Sequence, residues 1–176
     1  MKRMPWTRIK SLLSDRLAPS LRNRVAIHQA RYRHSREELG RIWVQIDGRE
    51  IAAFSTAPAV RRRRELTDEL MSINHSWGST DAYGKADGIA QSLMSQAGEQ
   101  SDYTAWDDLE SYLSLSIDDA LSSSNPLIRA LAIADRRVGK RRLQSLRIGP
   151  REHALVREMF AIRCDVEGVV LAAPDV

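Results

Sequence analysis

The stretch NPLIRALAIADRRVGKRRLQSLRIG, residues 125–149, is the segment around which the chain is organised. Asn125 is a favourable helix N-cap, and Pro126 suits a first helical position, where no N–H is needed. Gly139 can end this helix in a left-handed conformation. A short second helix is predicted from Lys140 to Leu146. Between Asn125 and Gly139 the apolar residues recur at helical spacing: Leu127, Ile128, Leu131, Ala134 and Val138.

The same stretch carries a dense group of cations, and its helix–glycine–helix outline is similar to a helix-turn-helix. The second helix is short for a recognition helix. Three interpretations stay open: an acidic protein partner, nucleic acid, or internal pairing with the acidic helices. The first is the leading hypothesis, a non-enzymatic binding or adaptor protein. The predicted partner-binding residues are Arg136, Arg137, Lys140, Arg141 and Arg142, with Arg147 nearby.

Length and composition favour one compact domain over residues 1–176. A chain of 176 residues is within the usual range of about 100–200 residues for a domain. No stretch approaches the roughly 20 apolar residues of a membrane span, and the basic N-terminus lacks a signal-peptide core. Cys164 is the only cysteine, so an internal disulfide is excluded and a reducing compartment is favoured. We therefore expect a soluble cytoplasmic protein.

Charge is distributed unevenly along the chain. Residues 1–64 have a net charge of +11, residues 65–124 of −11 and residues 125–176 of +4. The acidic middle can therefore neutralise much of the basic ends inside the fold. This interpretation competes directly with binding of nucleic acid through the basic residues.

A β-sheet is predicted between the first helix and residue 56. Residues 24–33, 41–46 and 49–55 alternate in polarity as strands do, with a connecting loop at 35–40. Asp47-Gly48 separates the last two, and this dipeptide suits a type I′ turn. The sequence therefore predicts an α+β fold with a three-stranded antiparallel β-meander packed against five or six helices.

Apolar residues at helical spacing predict the helices outside residues 125–146. Thr104 with Asp107 forms a pattern similar to a capping box, which we take as the start of one long helix to Leu121. The predicted helices cover residues 5–17, 56–73, 86–97, 104–121 and 153–164.

No motif for catalysis, metal binding or a cofactor is present. There is no nucleophile elbow and no phosphate-binding loop. The residues that most often bind transition metals are scattered, so we predict no metal site and no catalytic residue. An enzyme whose site is assembled from residues distant in sequence is the least favoured alternative. The scattered residues are His28, His34, His75, His153 and Cys164.

Several segments resemble a family of small uncharacterised bacterial proteins. They are MPWTRIK, RYRHS, GRIWVQIDGREI and, most specifically, YLSLSIDDAL followed by NPLIRALAIADRRVGKRRL. The resemblance extends from about residue 4 to residue 165, and Asp135 to Leu143 is its most specific part. It implies a bacterial cytoplasmic protein and a single compact domain. It implies no activity, cofactor or substrate.

Overall fold

The structure is a computed structural model that describes residues 3–31, 40–73 and 81–169. Within these ranges the chain forms a three-stranded sheet and eight α-helices, which confirms the α+β class but exceeds the five or six helices expected. The strands are β1 (Val25–Arg31), β2 (Gly40–Ile46) and β3 (Arg49–Ser55). The helices are α1 (Trp6–Arg16), α2 (Thr56–Ile73), α3 (Ala82–Ala97), α4 (Asp102–Ser114), α5 (Ile117–Ser122), α6 (Pro126–Ala134), α7 (Lys140–Ser145) and α8 (Ala154–Glu167), with a 3-10 turn at Pro19–Leu21.

The sheet is an antiparallel meander in the order β1-β2-β3. Asp47 and Gly48 connect β2 to β3 with φ angles of 51° and 76°. Positive φ at both central residues is the type I′ geometry, so the predicted hairpin is confirmed. The described part of β1 covers residues 25–31 of the predicted 24–33. Residues 32–39, which contain most of the predicted connecting loop, lie outside the described residues.

One face of the sheet is buried and the other is partly exposed. α4 packs on β2, and α8 packs on β3. On the opposite face, His28 and Trp43 are cross-strand neighbours whose rings stack with centroids 5.1 Å apart. This alternation is typical of an antiparallel sheet covered on one side. The buried face consists of Val25, Ile27, Ile42, Val44, Ile46 and Phe54.

α6 lies at the centre of the core. Every residue of α6 except Arg129 is buried, and the helix packs against α4, α5 and α8. Asn125 caps it as predicted, because its Oδ1 accepts hydrogen bonds from the N–H groups of Leu127 and Ile128 at 2.9 and 3.2 Å. A helix that is apolar all round belongs inside a core. The segment that begins at Asn125 is therefore central to the packing.

α6 ends earlier than expected, so its predicted extension to Gly139 is wrong. The last helical residue is Ala134, and Asp135 is extended with ψ of 137°. The Asp135 carboxylate accepts a hydrogen bond from the N–H of Arg137 at 2.8 Å, so it caps a turn rather than continuing the helix. Gly139 has φ of −81° and precedes α7 in an extended conformation, not a left-handed one.

The single long helix predicted over 104–121 is also wrong, because two helices occupy this region. α4 begins after Ser101, whose Oγ accepts from the N–H of Thr104 at 3.1 Å, so Ser101 rather than Thr104 is the N-cap. α5 begins after Ser116, whose Oγ accepts from the N–H of Asp119 at 3.1 Å. A serine hydroxyl that caps a new helix competes with continuation of the old one. The apolar spacing alone does not reveal this break.

The other predicted helices are confirmed with small changes in their boundaries. α3 begins at Ala82, four residues before the predicted start, and ends as expected at Gly98, which has φ of 70°. The apolar tail after Val169 lies outside the described residues. Among the helices of the described ranges, none is both long and apolar enough to cross a bilayer.

The type I′ turn gives the first test of the fold. We expect Gly48→Val to lower the free energy of unfolding by about 1–3 kcal/mol, because a β-branched residue is strained at positive φ. No atom lies within 4 Å of the position that a Cβ would occupy at Gly48, so the loss would reflect backbone strain rather than a clash. Gly48→Asn is the control, since asparagine tolerates this conformation. Equal urea midpoints for the valine variant and the wild type would contradict the turn assignment.

Candidate functional site

The predicted site residues lie on and beside a tight turn that joins α6 to α7. The side chain of Asp135 is fully buried at the start of this turn. Its carboxylate accepts hydrogen bonds from the Arg137 guanidinium at 2.7 and 3.0 Å and from the Tyr112 hydroxyl at 2.6 Å. With the bond from the Arg137 N–H, four donors converge on one carboxylate. A buried carboxylate needs this degree of pairing to stay charged.

The electrostatics of the turn follow from these contacts. Burial opposes the ionisation of Asp135, but the hydrogen bonds from Arg137 and Tyr112 outweigh it and hold the pKa of this carboxyl below its ordinary value. Burial, together with the hydrogen bond to the Asp135 carboxylate, raises the pKa of Tyr112. Tyr112 therefore keeps its proton and donates a hydrogen bond to Asp135, which stays an anion at neutral pH.

The turn is also held by the backbone of the segment after α1. The N–H of Ala18 donates to the carbonyl of Ala134 at 2.9 Å, and the N–H of Arg136 donates to the carbonyl of Arg16 at 2.8 Å. These bonds form a short antiparallel bridge between Leu17 and Asp135. The end of α1 therefore fixes the path of the chain on one side of the turn.

A buried arginine of α8 holds the far end of the turn. The side chain of Arg163 is only 4% exposed, and its Nη2 donates to the carbonyl of Val138 at 3.0 Å. Its Nη1 forms an ion pair with Glu167 at 2.9 Å. Val138 itself is fully buried. Sequence reasoning missed Arg163, because an arginine in an amphipathic helix looks like a surface residue.

The five predicted residues fall into two groups. Arg137 pairs with buried Asp135, and Arg142 pairs with Asp118 of α5. The other three are exposed and make no side-chain ion pair or hydrogen bond within the described parts of the chain: Arg136, Lys140 and Arg141. We call all five together the basic surface. Arg147 lies beyond it and donates to the carbonyl of Gln144.

The pair α6–α7 differs from a DNA-reading helix-turn-helix in its second helix. α7 has only six residues, which is less than two turns, and Leu143 from its middle is buried. Its exposed cations lie in the first turn, at Lys140 and Arg141. The geometry is thus a firmly held turn that presents cations, rather than a helix that projects from the protein.

The family to which the chain belongs agrees with the resemblance to an uncharacterised family that its sequence shows. A family model matches residues 5–164. The chain belongs to the SF0329 protein family. This is an uncharacterised family, as the resemblance implied. No curated protein and no solved structure gives a significant match.

The histidines and the cysteine of this SF0329 family member do not form a second candidate site within the described ranges. His153 caps α8 by accepting the N–H of Leu155 at 3.1 Å, and Cys164 is buried. Within residues 3–31, 40–73 and 81–169, no three His, Cys, Asp or Glu side chains come together as metal ligands. His34 and His75 lie outside these ranges.

An open cleft of about 510 Å³ lies between β3, the start of α2 and the turn after α3. Its arginines are already paired, Arg41 with Glu50 and Arg62 with Glu99. Gln100 is buried in its wall. Among the residues that the structure describes, the lining contains no pair of a nucleophile and a base, so the cleft does not indicate a reaction.

The buried carboxylate gives a second test. We expect Asp135→Ala to lower the free energy of unfolding by about 3 kcal/mol, the low end for breaking a buried pair, because Arg137 can turn to solvent. The matched control is Asp118→Asn, which removes the exposed partner of Arg142 and should cost at most about 1 kcal/mol. Urea denaturation at neutral pH measures both. Equal losses in the two variants would contradict the structural role of Asp135.

The pH dependence of stability follows with a defined sign. Because the folded-state pKa of Asp135 is lowered, its contribution is present above the ordinary aspartate pKa and is lost as pH falls through the lowered value. The stability difference between the wild type and Asp135→Ala should therefore shrink in acid.

Proposed function

We propose that this SF0329 family member is a non-enzymatic binding protein that uses the basic surface on an acidic protein partner. One observation carries the proposal. Three exposed cations, Arg136, Lys140 and Arg141, make no ion pair among the described residues, although they lie on a turn that the core holds firmly. A surface that is fixed before binding loses little conformational entropy when a ligand binds.

A protein partner is favoured over nucleic acid by the number of available cations. Arg137 and Arg142 already have carboxylate partners, so three cations are left for a ligand. A protein that neutralises a nucleic-acid backbone commonly makes about 6–10 phosphate contacts. Three cations are sufficient for a small cluster of carboxylates on a protein, where charge complementarity mainly sets specificity and association rate.

Nucleic acid is the alternative, and the same three cations support it. Arginine and lysine contact phosphates without any sequence motif. α7 is too short to provide a helix that reads base edges. This alternative therefore predicts binding to the phosphate backbone of the nucleic acid, without sequence preference.

The proposal also covers the source and the characteristic segment of the chain. We propose a bacterial, cytoplasmic protein, and we propose that the NPLIRALAxxDRRxGKRRL pattern over residues 125–143 is a shared feature of the family. The contacts of Asp135 and the burial of α6 and Val138 support the second point, because they give this segment a structural role.

Photo-crosslinking at the basic surface tests the proposal directly. A photoreactive residue at exposed Gln144 of α7 should form a crosslink to an acidic protein in cells of the native host. The triple change of Arg136, Lys140 and Arg141 to Ser should abolish it while leaving the urea midpoint nearly unchanged, since these side chains make no ion pairs among the described residues. The same photoreactive residue at exposed Thr7 of α1 is the control. A crosslinked product that survives the triple change would refute the role of the basic surface.

Salt dependence distinguishes the alternative ligand. With a fluorescent duplex of random sequence as the probe, three phosphate contacts give a slope of log K against log salt near −3. The triple serine variant should bring that slope close to zero. If the wild-type protein does not bind the duplex at low salt, the nucleic-acid alternative is excluded and the protein partner stands alone.

A further inference from the structure

The most exposed large apolar side chains of the described chain all lie on two helices, α2 and α3. Their exposed fractions range from 41% for Ile89 to 67% for Ile73. Single apolar residues on a surface are ordinary, but a cluster on one element usually marks an interaction site. The five residues are Val60, Ile73, Tyr83, Ile89 and Leu93.

These two helices form an antiparallel hairpin that packs mainly against itself. The buried stripe of α3 is mostly small, with Ala82, Ala86 and Ala90 at four-residue intervals before Met94. An ion pair between Arg63 and Asp87 crosses the hairpin, with Nε to Oδ1 at 2.6 Å. Contacts with the rest of the protein are near the base, where α2 follows β3 directly and the Asn125 amide reaches Ser95 at 3.5 Å.

Helical geometry places the exposed residues on two opposite sides of the hairpin. At about 100° per residue, Leu66 and Ile73 lie roughly 60° and 80° to one side of the buried stripe of α2, and Val60 lies roughly 60° to the other. On α3, Ile89 and Leu93 lie roughly 80° and 40° to the first side. Because the helices are antiparallel, residues that are rotated in the same sense from the buried stripes of α2 and α3 lie on the same side of the hairpin.

We call the side with Leu66, Ile73, Ile89 and Leu93 the apolar face. Tyr83 lies on the opposite side together with Val60, roughly 40° from the buried stripe of α3. Among these residues, Leu66 is half-buried and the other five are exposed. The apolar face therefore combines residues of both helices over the length of the hairpin.

Two charges that border the apolar face are complementary to each other, while Arg62 on the same side of α2 is paired with Glu99. Glu69 of α2 and Lys85 of α3 flank the apolar face. Glu69 lies about one turn before the end of α2, and Lys85 lies about one turn after the start of α3. Both are exposed, and neither side chain makes an ion pair within the described ranges. In a two-fold contact a residue pair occurs twice. If α2 of one copy faces α3 of another, Glu69 of each copy meets Lys85 of the other.

The size of the apolar face is sufficient for a weak dimer. α2 has 18 residues, so it is about 27 Å long, and two packed helices are about 20 Å wide. Such a face covers roughly 500 Å² per copy, or roughly 1,000 Å² in total, at the low end for specific interfaces.

We propose that the apolar face is the surface through which two copies of this chain associate, with the two hairpins forming a four-helix contact. The proposal is independent of the proposed function, because the basic surface lies on α7 and the turn before it. Association is driven by burial of the apolar face, and the Glu69–Lys85 pairs set its orientation.

Sedimentation of the full chain over the micromolar range tests the proposal. We expect a monomer–dimer equilibrium in the wild type, weakened about tenfold or more by Leu93→Ser or by Ile89→Ser. Val60→Ser is the matched control, because Val60 is even more exposed than Leu93 or Ile89 but lies on the opposite side, and it should leave the dimer unchanged. Circular dichroism of each variant shows whether the fold is retained.

Charge reversal tests the orientation. Glu69→Lys and Lys85→Glu should each weaken the dimer, and the two changes together should restore it. A wild type that stays monomeric throughout would overturn the proposal and leave the apolar face to a different protein. Equal weakening by Val60→Ser and Leu93→Ser, or no recovery in the double charge reversal, would overturn it as well.

Discussion

The buried carboxylate of Asp135 is the interaction on which the α6–α7 turn depends. An isolated carboxylate costs several kcal/mol to bury, so it is stable inside the protein only when donors surround it. Tyr112 brings one donor from α4, and Arg137 brings three from the turn itself. The same residue joins the end of α1 through the bridge to Leu17. The Asp135 side chain therefore ties the turn to α4, and the backbone on either side of Asp135 ties it to the end of α1.

This anchoring divides the cations of one short segment into different roles. Arg137 is directed inward by Asp135, and its neighbour Arg136 is left exposed because only its backbone is engaged. Further along, α8 fixes the turn through Arg163 and the carbonyl of Val138. The six cations within residues 136–147 therefore overstate the number of free cations that a ligand would contact.

Charge complementarity along the chain accounts for part of this result. The acidic middle pairs with the basic ends at several points, including Arg3 with Asp107, Arg63 with Asp87 and Arg142 with Asp118. These pairs are exposed or only partly buried, so each adds little to stability. Their main effect is to lower the number of cations available to an external anion.

Local chemistry explains which elements could be predicted from the sequence. Asp47-Gly48 sets its own backbone geometry, and Asn125 with Pro126 sets the start of α6, so both predictions are confirmed. The ends of helices were less predictable because Ser116 and Asp135 offer side-chain oxygens that compete with helix continuation. Apolar periodicity contains no information about that competition.

The division of the candidate site could not be predicted, because it depends on contacts between distant parts of the chain. Tyr112 is 23 residues from Asp135, and Arg163 is 25 residues from Val138. Nothing in the local sequence of the turn distinguishes Arg136 from Arg137. In the same way, Ile89 and Leu93 belong to a regular helical stripe, and only the fold shows that they are exposed.

The two proposed surfaces differ in the physics of binding, and this difference keeps them separable. The basic surface presents cations on a turn fixed by buried polar bonds, so its contacts weaken as salt screens charge. The apolar face offers hydrocarbon on a hairpin with few contacts to the core, and burial of hydrocarbon is little affected by moderate salt. Ionic strength therefore acts mainly on the first surface. The apolar face on α2 and α3 includes no residue of α7 or of the turn before it, so the two proposed surfaces share no side chain and can be changed separately.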